Sequence, residues 1–205
     1  MPTILHNLLA TTELHEPKDV ATAASGKTYV ADGAGSGDWK GLVMYGWEDY
    51  NNALSSQALT SGVWTNLLND GAGTFTNTAY KLQGSTGVWD TTANEFDWAA
   101  GGASVGDFIE LRLDIAVTVN TNNDDFELRM DMAVGGASPF TLPIDQRNID
   151  IAGSQSVIRY VSFYIGSTDV LNNPGTLSIK ANTAGDSVLV NGWLVRIVPR
   201  VGGYV

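Results

Sequence analysis

The residue types that carry chemistry are sparse in this chain. Histidine occurs only at His6 and His15, and cysteine does not occur. Thiolate metal sites, iron–sulfur clusters, cysteine nucleophiles and disulfides are therefore excluded. Glu16 and Pro17 follow His15 directly, which breaks the helix that an HExxH zinc site requires. Gly33-Ala34-Gly35-Ser36-Gly37 has the small residues of a phosphate loop, but no Lys-Ser or Lys-Thr pair and no helical period follow it. It reads as a tight turn. Oxygen ligands are plentiful. Residues 120–125 read NTNNDD, and Asp124 with Asp125 are candidate calcium ligands, because calcium takes hard oxygen donors. The spacing is not that of an EF-hand loop, and the same string is an ordinary Asn/Asp-rich turn. Glu95 and Asp97 flank Phe96 on another expected loop. A glycosidase would need two carboxylates about 5–9.5 Å apart, a separation that position along the chain does not reveal. A serine hydrolase of the nucleophile-elbow type is not expected. This inventory points to a protein with no enzymatic activity, no cofactor and no resident metal.

The aromatic residues are a richer set. Tryptophan stands at Trp39, Trp47, Trp64, Trp89, Trp98 and Trp193, beside seven tyrosines and six phenylalanines. An exposed ring stacks on sugars, whereas a buried one removes the most apolar area per residue. Packing in a core or between subunits is the expected use of most of them.

The chain has 205 residues, 22 of them acidic against 11 basic, for a formal charge of −11. That balance opposes nucleic-acid binding, which rests on Lys and Arg neutralising phosphates. Hydrophobic residues make up 43%, enough for a folded core, but charged residues only 16%, against roughly 25% in a typical soluble domain. Much of the surface must be Ser, Thr, Asn, Gly and Ala, which suits packing against identical neighbours. No run approaches the ~20 apolar residues of a membrane helix. Residues 1–10 lack the basic start of a signal peptide. Neither a membrane partner nor cleaved export is expected.

Two textures divide the chain near residue 45. Residues 3–12 have the period of a short helix with Thr3 as N-cap. Residues 27–31 and 38–43 read as short extended pieces around a glycine-rich turn. Few core-forming residues occur here, so residues 1–45 are expected to be an arm that orders against another surface. Beyond it, residues 47–57 read as a helix or loop. Then come β-type runs at 62–68, 74–82, 87–90, 107–119, 125–134, 141–144, 155–165, 175–181 and 187–199, divided by Asn, Asp and Gly turns. In 108–119, Ile109, Leu111, Leu113, Ile115, Val117 and Val119 alternate with a largely polar set, the pattern of a half-buried strand. The outward sets Glu110/Arg112/Asp114 and Glu127/Arg129/Asp131 suggest cross-strand ion pairs, each worth a few tenths to ~1 kcal/mol. The last run is apolar on both faces at its end, so it is central in a sheet or pressed against another subunit. Eight or nine such strands make an all-β fold, a jelly-roll β-sandwich over 46–205 preceded by an extended N-terminal arm.

One further pattern is a resemblance. Leu14-His15-Glu16-Pro17-Lys18, then Ala21-Thr22-Ala23, then residues 28–39 reading TYVADGAGSGDW, resemble the N-terminal module of tailed-bacteriophage virion proteins. In those, an LHEPKG…ATA…VYVADGAGSGxW run precedes a fibre, spike or head-decoration domain. Asp19 stands where that module usually has Gly. Leu111-Arg112-Leu113-Asp114, Asn173-Pro174-Gly175 and Asn191-Gly192-Trp193, among other short pieces of the second half, resemble phage virion domains of tumour-necrosis-factor-like jelly-roll type. The resemblance implies a homotrimer, with Trp193, Val195, Ile197, Arg112 and Arg129 as candidate interface residues. It implies a capsid decoration, cement or head-fibre protein, made in the host cytoplasm and bound to the major capsid protein or another virion protein. Leu14, His15, Glu16, Pro17, Lys18, Tyr29, Val30, Asp32, Gly33 and Trp39 are the residues it points to for docking. The alternative is a tail-fibre or baseplate adhesin that recognises a host surface glycan.

Overall fold

A computed structural model describes residues 27–31, 37–41, 45–82 and 84–200. The chain divides between residues 43 and 44 into two compact units. In the first, β1 (Lys27–Ala31) and β2 (Gly37–Gly41) pair antiparallel, with Tyr29 opposite Trp39 and Val30 opposite Asp38. The two extended pieces expected here are the arms of one hairpin. The expected helix over 3–12, the docking candidates Leu14, His15, Glu16, Pro17 and Lys18, and the turn residues Asp32 and Gly33 lie outside the described residues.

The second unit contains β3 (Gly46–Asn51), β4 (Gln57–Ala58), β5 (Thr65–Asn66), β6 (Trp89–Asp90), β7 (Glu95–Phe96), β8 (Phe108–Val119), β9 (Asp124–Met132), β10 (Phe140–Ile149), β11 (Gly153–Tyr164), α1 (Thr168–Asn172), β12 (Thr176–Ala181) and β13 (Ser187–Val198). One sheet runs β10-β9-β12-β5 and the other β11-β8-β13-β3, with β4 also on β13. With β4 and the small β6–β7 ladder set aside, eight strands remain, and their antiparallel pairings nest. The first pairs with the last (β3–β13), the second with the seventh (β5–β12), the third with the sixth (β8–β11) and the fourth with the fifth (β9–β10). Such nesting is a long antiparallel ribbon wrapped on itself, the connectivity of a jelly roll. The second unit is therefore an all-β jelly-roll sandwich.

The alternation read from the sequence is what closes the core. Ile109, Leu111, Leu113, Ile115 and Val117 of β8 are buried facing Phe126, Leu128, Met130 and Met132 of β9 in the same hydrophobic cluster. A one-residue slip in either strand would turn its whole apolar set to solvent, so burial sets the register. β13 lies between β8 and β3, which explains its apolar character. Trp193, Val195 and Ile197 point inward and are 2%, 1% and 3% exposed. That corrects the reading of these three as surface residues for a trimer: they belong to the core of a single chain.

Several sequence expectations are revised. Residues 47–57 are not helical; Gly46, Glu48 and Tyr50 point inward and make β3. The expected strand at 74–82 is a series of turns beside β3, joined to it by a bridge between Asp49 and Asn77 and by the Trp47 N–H, which donates to the Tyr80 carbonyl at 3.0 Å. The Asn77 side chain accepts from the Ala79 N–H, a local bond that competes with a ladder. The 62–68 run is a strand only over Thr65–Asn66, with further backbone bonds to β12 from the Gly62 and Leu67 N–H groups. β10 extends well past 144, through a polar stretch held by Asp145, which pairs with Arg147 at 2.9 Å and Arg159 at 2.7 Å. The outward charges of β8 and β9 do not pair with each other, because the two strands lie in different sheets. Instead Arg112 meets Asp114 at 3.5 Å and Arg129 meets Asp131 at 2.8 Å within their own strands.

The long connection between β5 and β8 caps the sandwich with aromatic rings. Trp89 meets Trp193 edge-on at 4.4 Å, Phe96 stacks on Trp98 at 5.2 Å, and Trp98 meets Phe163 at 5.3 Å. The expectation that tryptophan serves packing holds for Trp89, Trp98 and Trp193, all buried.

Candidate ligand-binding face

The outer face of the β11-β8-β13-β3 sheet carries a set of polar and aromatic side chains. Its position follows from strand pairing, since directly opposed residues share a face. One row across the sheet is Tyr160, Arg112, Leu194 and Asp49. The next is Ser162, Glu110, Arg196 and Trp47. Tyr164 and Phe108 continue toward one end, and Ile158, Asp114 and Asn51 lie toward the other. A bulge in β13 between Val190 and Gly192 pushes Asn191 out onto this face.

Hydrogen bonds fix the polar members. Asp114 accepts from Asn191 Nδ2 at 2.9 Å, and Asp49 accepts from Asn51 Nδ2 at 2.9 Å. Arg196 pairs with Glu110 at 3.0 Å and lies 4.4 Å from the Tyr45 ring centre. Trp47 stacks on Tyr80 at 4.8 Å. Partial burial raises the Asp49 carboxyl above the usual range, opposed by the Arg112 charge and the Asn51 hydrogen bond. The Nε–H groups of Arg112 and Arg196 have no hydrogen-bond partner among the described residues.

Two hollows open on this face. One of about 240 Å³ is bordered by Asp49, Asn51, Arg112, Asp114 and Asn191. The other, about 430 Å³, is bordered by Glu110, Arg112, Tyr160, Ser162 and Arg196. Arg112 and Leu194 belong to both. Tyr160 is 77% exposed, so its ring is free to stack. Planar acceptors and donors side by side, next to an exposed ring, suit a ligand rich in hydroxyl groups.

The remaining candidates fall elsewhere. Arg129 lies on the outer face of the other sheet, 3.9 Å from the Trp64 ring centre, and Asp131 accepts there from Ser178 Oγ at 2.9 Å. Tyr29, Val30 and Trp39 are in the hairpin. Asp125 accepts from Asn148 Nδ2 at 2.9 Å, whereas Asp124 is buried, so the two do not form one site. Glu95 and Asp97 flank buried Phe96. Residues 102–106 do have the Gly-x-Ser-x-Gly spacing of a nucleophile elbow. Here strand β8 follows rather than a helix, and the Ser104 N–H donates to Asp107, so the segment is a structural turn. Among the described residues, no three His, Asp or Glu side chains gather as a metal cluster, and no helix is long and apolar enough to cross a membrane.

No family model matches the chain, and no curated protein matches it. Among solved structures, the PRD1 vertex protein is 13% identical with a TM-score of 0.36, over 78% of this chain and 100% of that one. A xylan-binding domain from a Paenibacillus barcinonensis xylanase is 9% identical with a TM-score of 0.38, over 76% of this chain and 94% of that one. A two-module piece of a Clostridium thermocellum xylanase, solved with xylohexaose, is 12% identical with a TM-score of 0.32. That likeness spans 50% of this chain and 18% of the xylanase chain.

Proposed function

We propose that this chain is a non-enzymatic structural protein of a tailed-phage particle, held by the residues before 44 and presenting its jelly roll as a homotrimer on the capsid. The supporting observation is modular. The phage-like string from Tyr29 to Trp39 coincides with the β1–β2 hairpin in a compact unit of its own. The jelly roll has a separate hydrophobic core running from Tyr50 to Ile197. An anchor and a projecting domain are two such parts, and the docking partner is the major capsid protein or another virion protein. Of the trimer candidates, Arg112 and Arg129 are at the surface, and Trp193, Val195 and Ile197 are not. The test is a reconstruction of intact particles together with a truncation lacking residues 1–43. Many copies on the shell, and loss of incorporation on truncation, support the reading. A location confined to the tail tip, or normal incorporation of the truncated chain, overturns it.

A second reading is a receptor-binding adhesin. Its supporting observation is Tyr160, exposed beside the 430 Å³ hollow that Arg112 and Arg196 also border. The ligand class it suggests is a neutral host-surface polysaccharide.

A further inference from the structure

The three β13 residues first expected at a trimer contact lie in the core, so any such contact must use other residues. Among the described residues the exposed tyrosines are Tyr45, Tyr80, Tyr160 and Tyr164, and all four stand on the outer face of the β11-β8-β13-β3 sheet. Tyr160 borders the larger hollow. The other three gather at one end of the face. Tyr164, Phe108 and Val198 oppose one another across β11, β8 and β13. Tyr45, the residue before β3, extends that row, with its ring against Arg196. Tyr80 stacks on Trp47, one row further in. Tyr164 and Tyr80 are more than half exposed, and Phe108 and Tyr45 a little less. At 150–250 Å² per ring, these four leave roughly 300–550 Å² open, the size of patch that is often a contact site on a folded chain. The row carries no charge, and Glu110 and Arg196 beside it pair with each other at 3.0 Å. Copies of a chain with net charge −11 repel one another, so an uncharged aromatic row is where they approach with least opposition. Tyrosine is also among the residues enriched in the centres of protein contacts.

We propose that this row is the contact between copies of the chain, with the Tyr164–Phe108 end of one copy seated on the Tyr45–Trp47–Tyr80 end of the next. The inference rests on the homotrimer reading above and assigns its surface. The two ends differ in chemistry: bare rings on β11 and β8, and rings backed by a guanidinium and a stacked indole at β3. They stand three strand spacings apart, about 14 Å. A row with two unlike ends meets one neighbour at each end, which closes into a ring rather than a two-fold pair. Tyr45 also begins the jelly roll, so a ring built on this row brings the starts of three jelly rolls together, as a shared attachment point requires. Tyr160, four residues along β11 from Tyr164, stays outside the contact and open to a ligand.

The test is light scattering on the full chain at micromolar concentration and neutral pH. Three chains per particle are expected. Tyr164→Asp and Tyr45→Asp should each reduce this to one with circular dichroism unchanged. Ile151→Asp, an exposed residue in the turn at the other end of β11, should leave three. Because the chain has no cysteine, a double variant, Tyr45→Cys with Tyr164→Cys, gives a second readout that decides the matter if an aspartate variant fails to fold. About 14 Å separates the two positions within one copy, too far for a disulfide. Oxidation should therefore link different copies, and the ladder on a non-reducing gel should stop at three chains. A monomeric unmodified chain overturns the homotrimer reading and this inference with it. Trimers that survive both aspartates, or a double variant that is trimeric yet forms no disulfide, overturn this surface alone and leave the trimer standing. A ladder that stops at two chains or runs past three overturns the ring.

Discussion

The Tyr50 hydroxyl donates to the carboxylate of Glu48, two residues earlier on the same face of β3, and both side chains are buried. Glu48 also accepts from the Val88 N–H at 3.2 Å, so the pair ties an edge strand to the segment that caps the core. Burial first, then the hydrogen bond and charge of Glu48, hold the Tyr50 phenol above the ordinary tyrosine range. A group whose pKa is raised on folding stabilises the fold below its unfolded value, and that contribution is lost as pH rises through the folded value. Stability should therefore be complete on this account below about pH 10 and decline in the alkaline range. Tyr50→Phe should cost about 1–3 kcal/mol at neutral pH, because Glu48 loses a buried donor, and should flatten the alkaline decline. Urea midpoints measured across that range decide it; parallel curves for the two proteins would remove Tyr50 as the cause.

Ile197 lies inside the sandwich on β13. Ile197→Ala should lower unfolding free energy by about 2–5 kcal/mol, the usual cost of such a cavity. The measurement is chemical denaturation alongside light scattering. A change in assembly with unaltered chain stability would return this strand to the subunit surface.

Gly192 marks a close approach of β13 to β3. A Cβ placed there would lie 2.6 Å from the Tyr50 carbonyl oxygen, a backbone atom with no rotamer to move. Gly192→Ala should cost about 1–3 kcal/mol through overpacking, and it should disturb the hollow beside Asn191. A midpoint equal to that of the unmodified protein would refute the close approach.

Tyr160 tests the polar face without touching the core. Tyr160→Ala should leave the thermal midpoint nearly unchanged, because the ring is mostly exposed. If the face binds saccharide, the same change should weaken retention on host polysaccharide by up to about tenfold, the loss of one stacking contact of roughly 0.5–1.5 kcal/mol. Affinity electrophoresis in polysaccharide gels reads this directly, and equal retention of both proteins would reject Tyr160 as a contact.

The sequence alone determined the all-β class, the boundaries of β8, β9, β11, β12 and β13 to within about two residues, and the inward set of β8 and β9. Strand periodicity is a local property, and a strand with one buried face must display it. The β1–β2 pieces were legible as short β-type runs on either side of a glycine-rich turn. Tertiary structure decided what depends on partners distant in the chain. It put Trp193, Val195 and Ile197 in the core, because a strand covered on one face by a sandwich and one covered by a subunit have the same apolar residues. It set β8 and β9 in opposite sheets, which dissolved the expected ion pairs between them. It turned Asp124 inward and Asp125 outward, since neighbouring residues in a strand point to opposite faces. The outward-facing rows from Tyr160 to Asp49 draw on four strands, and only the nesting of those strands brings them together.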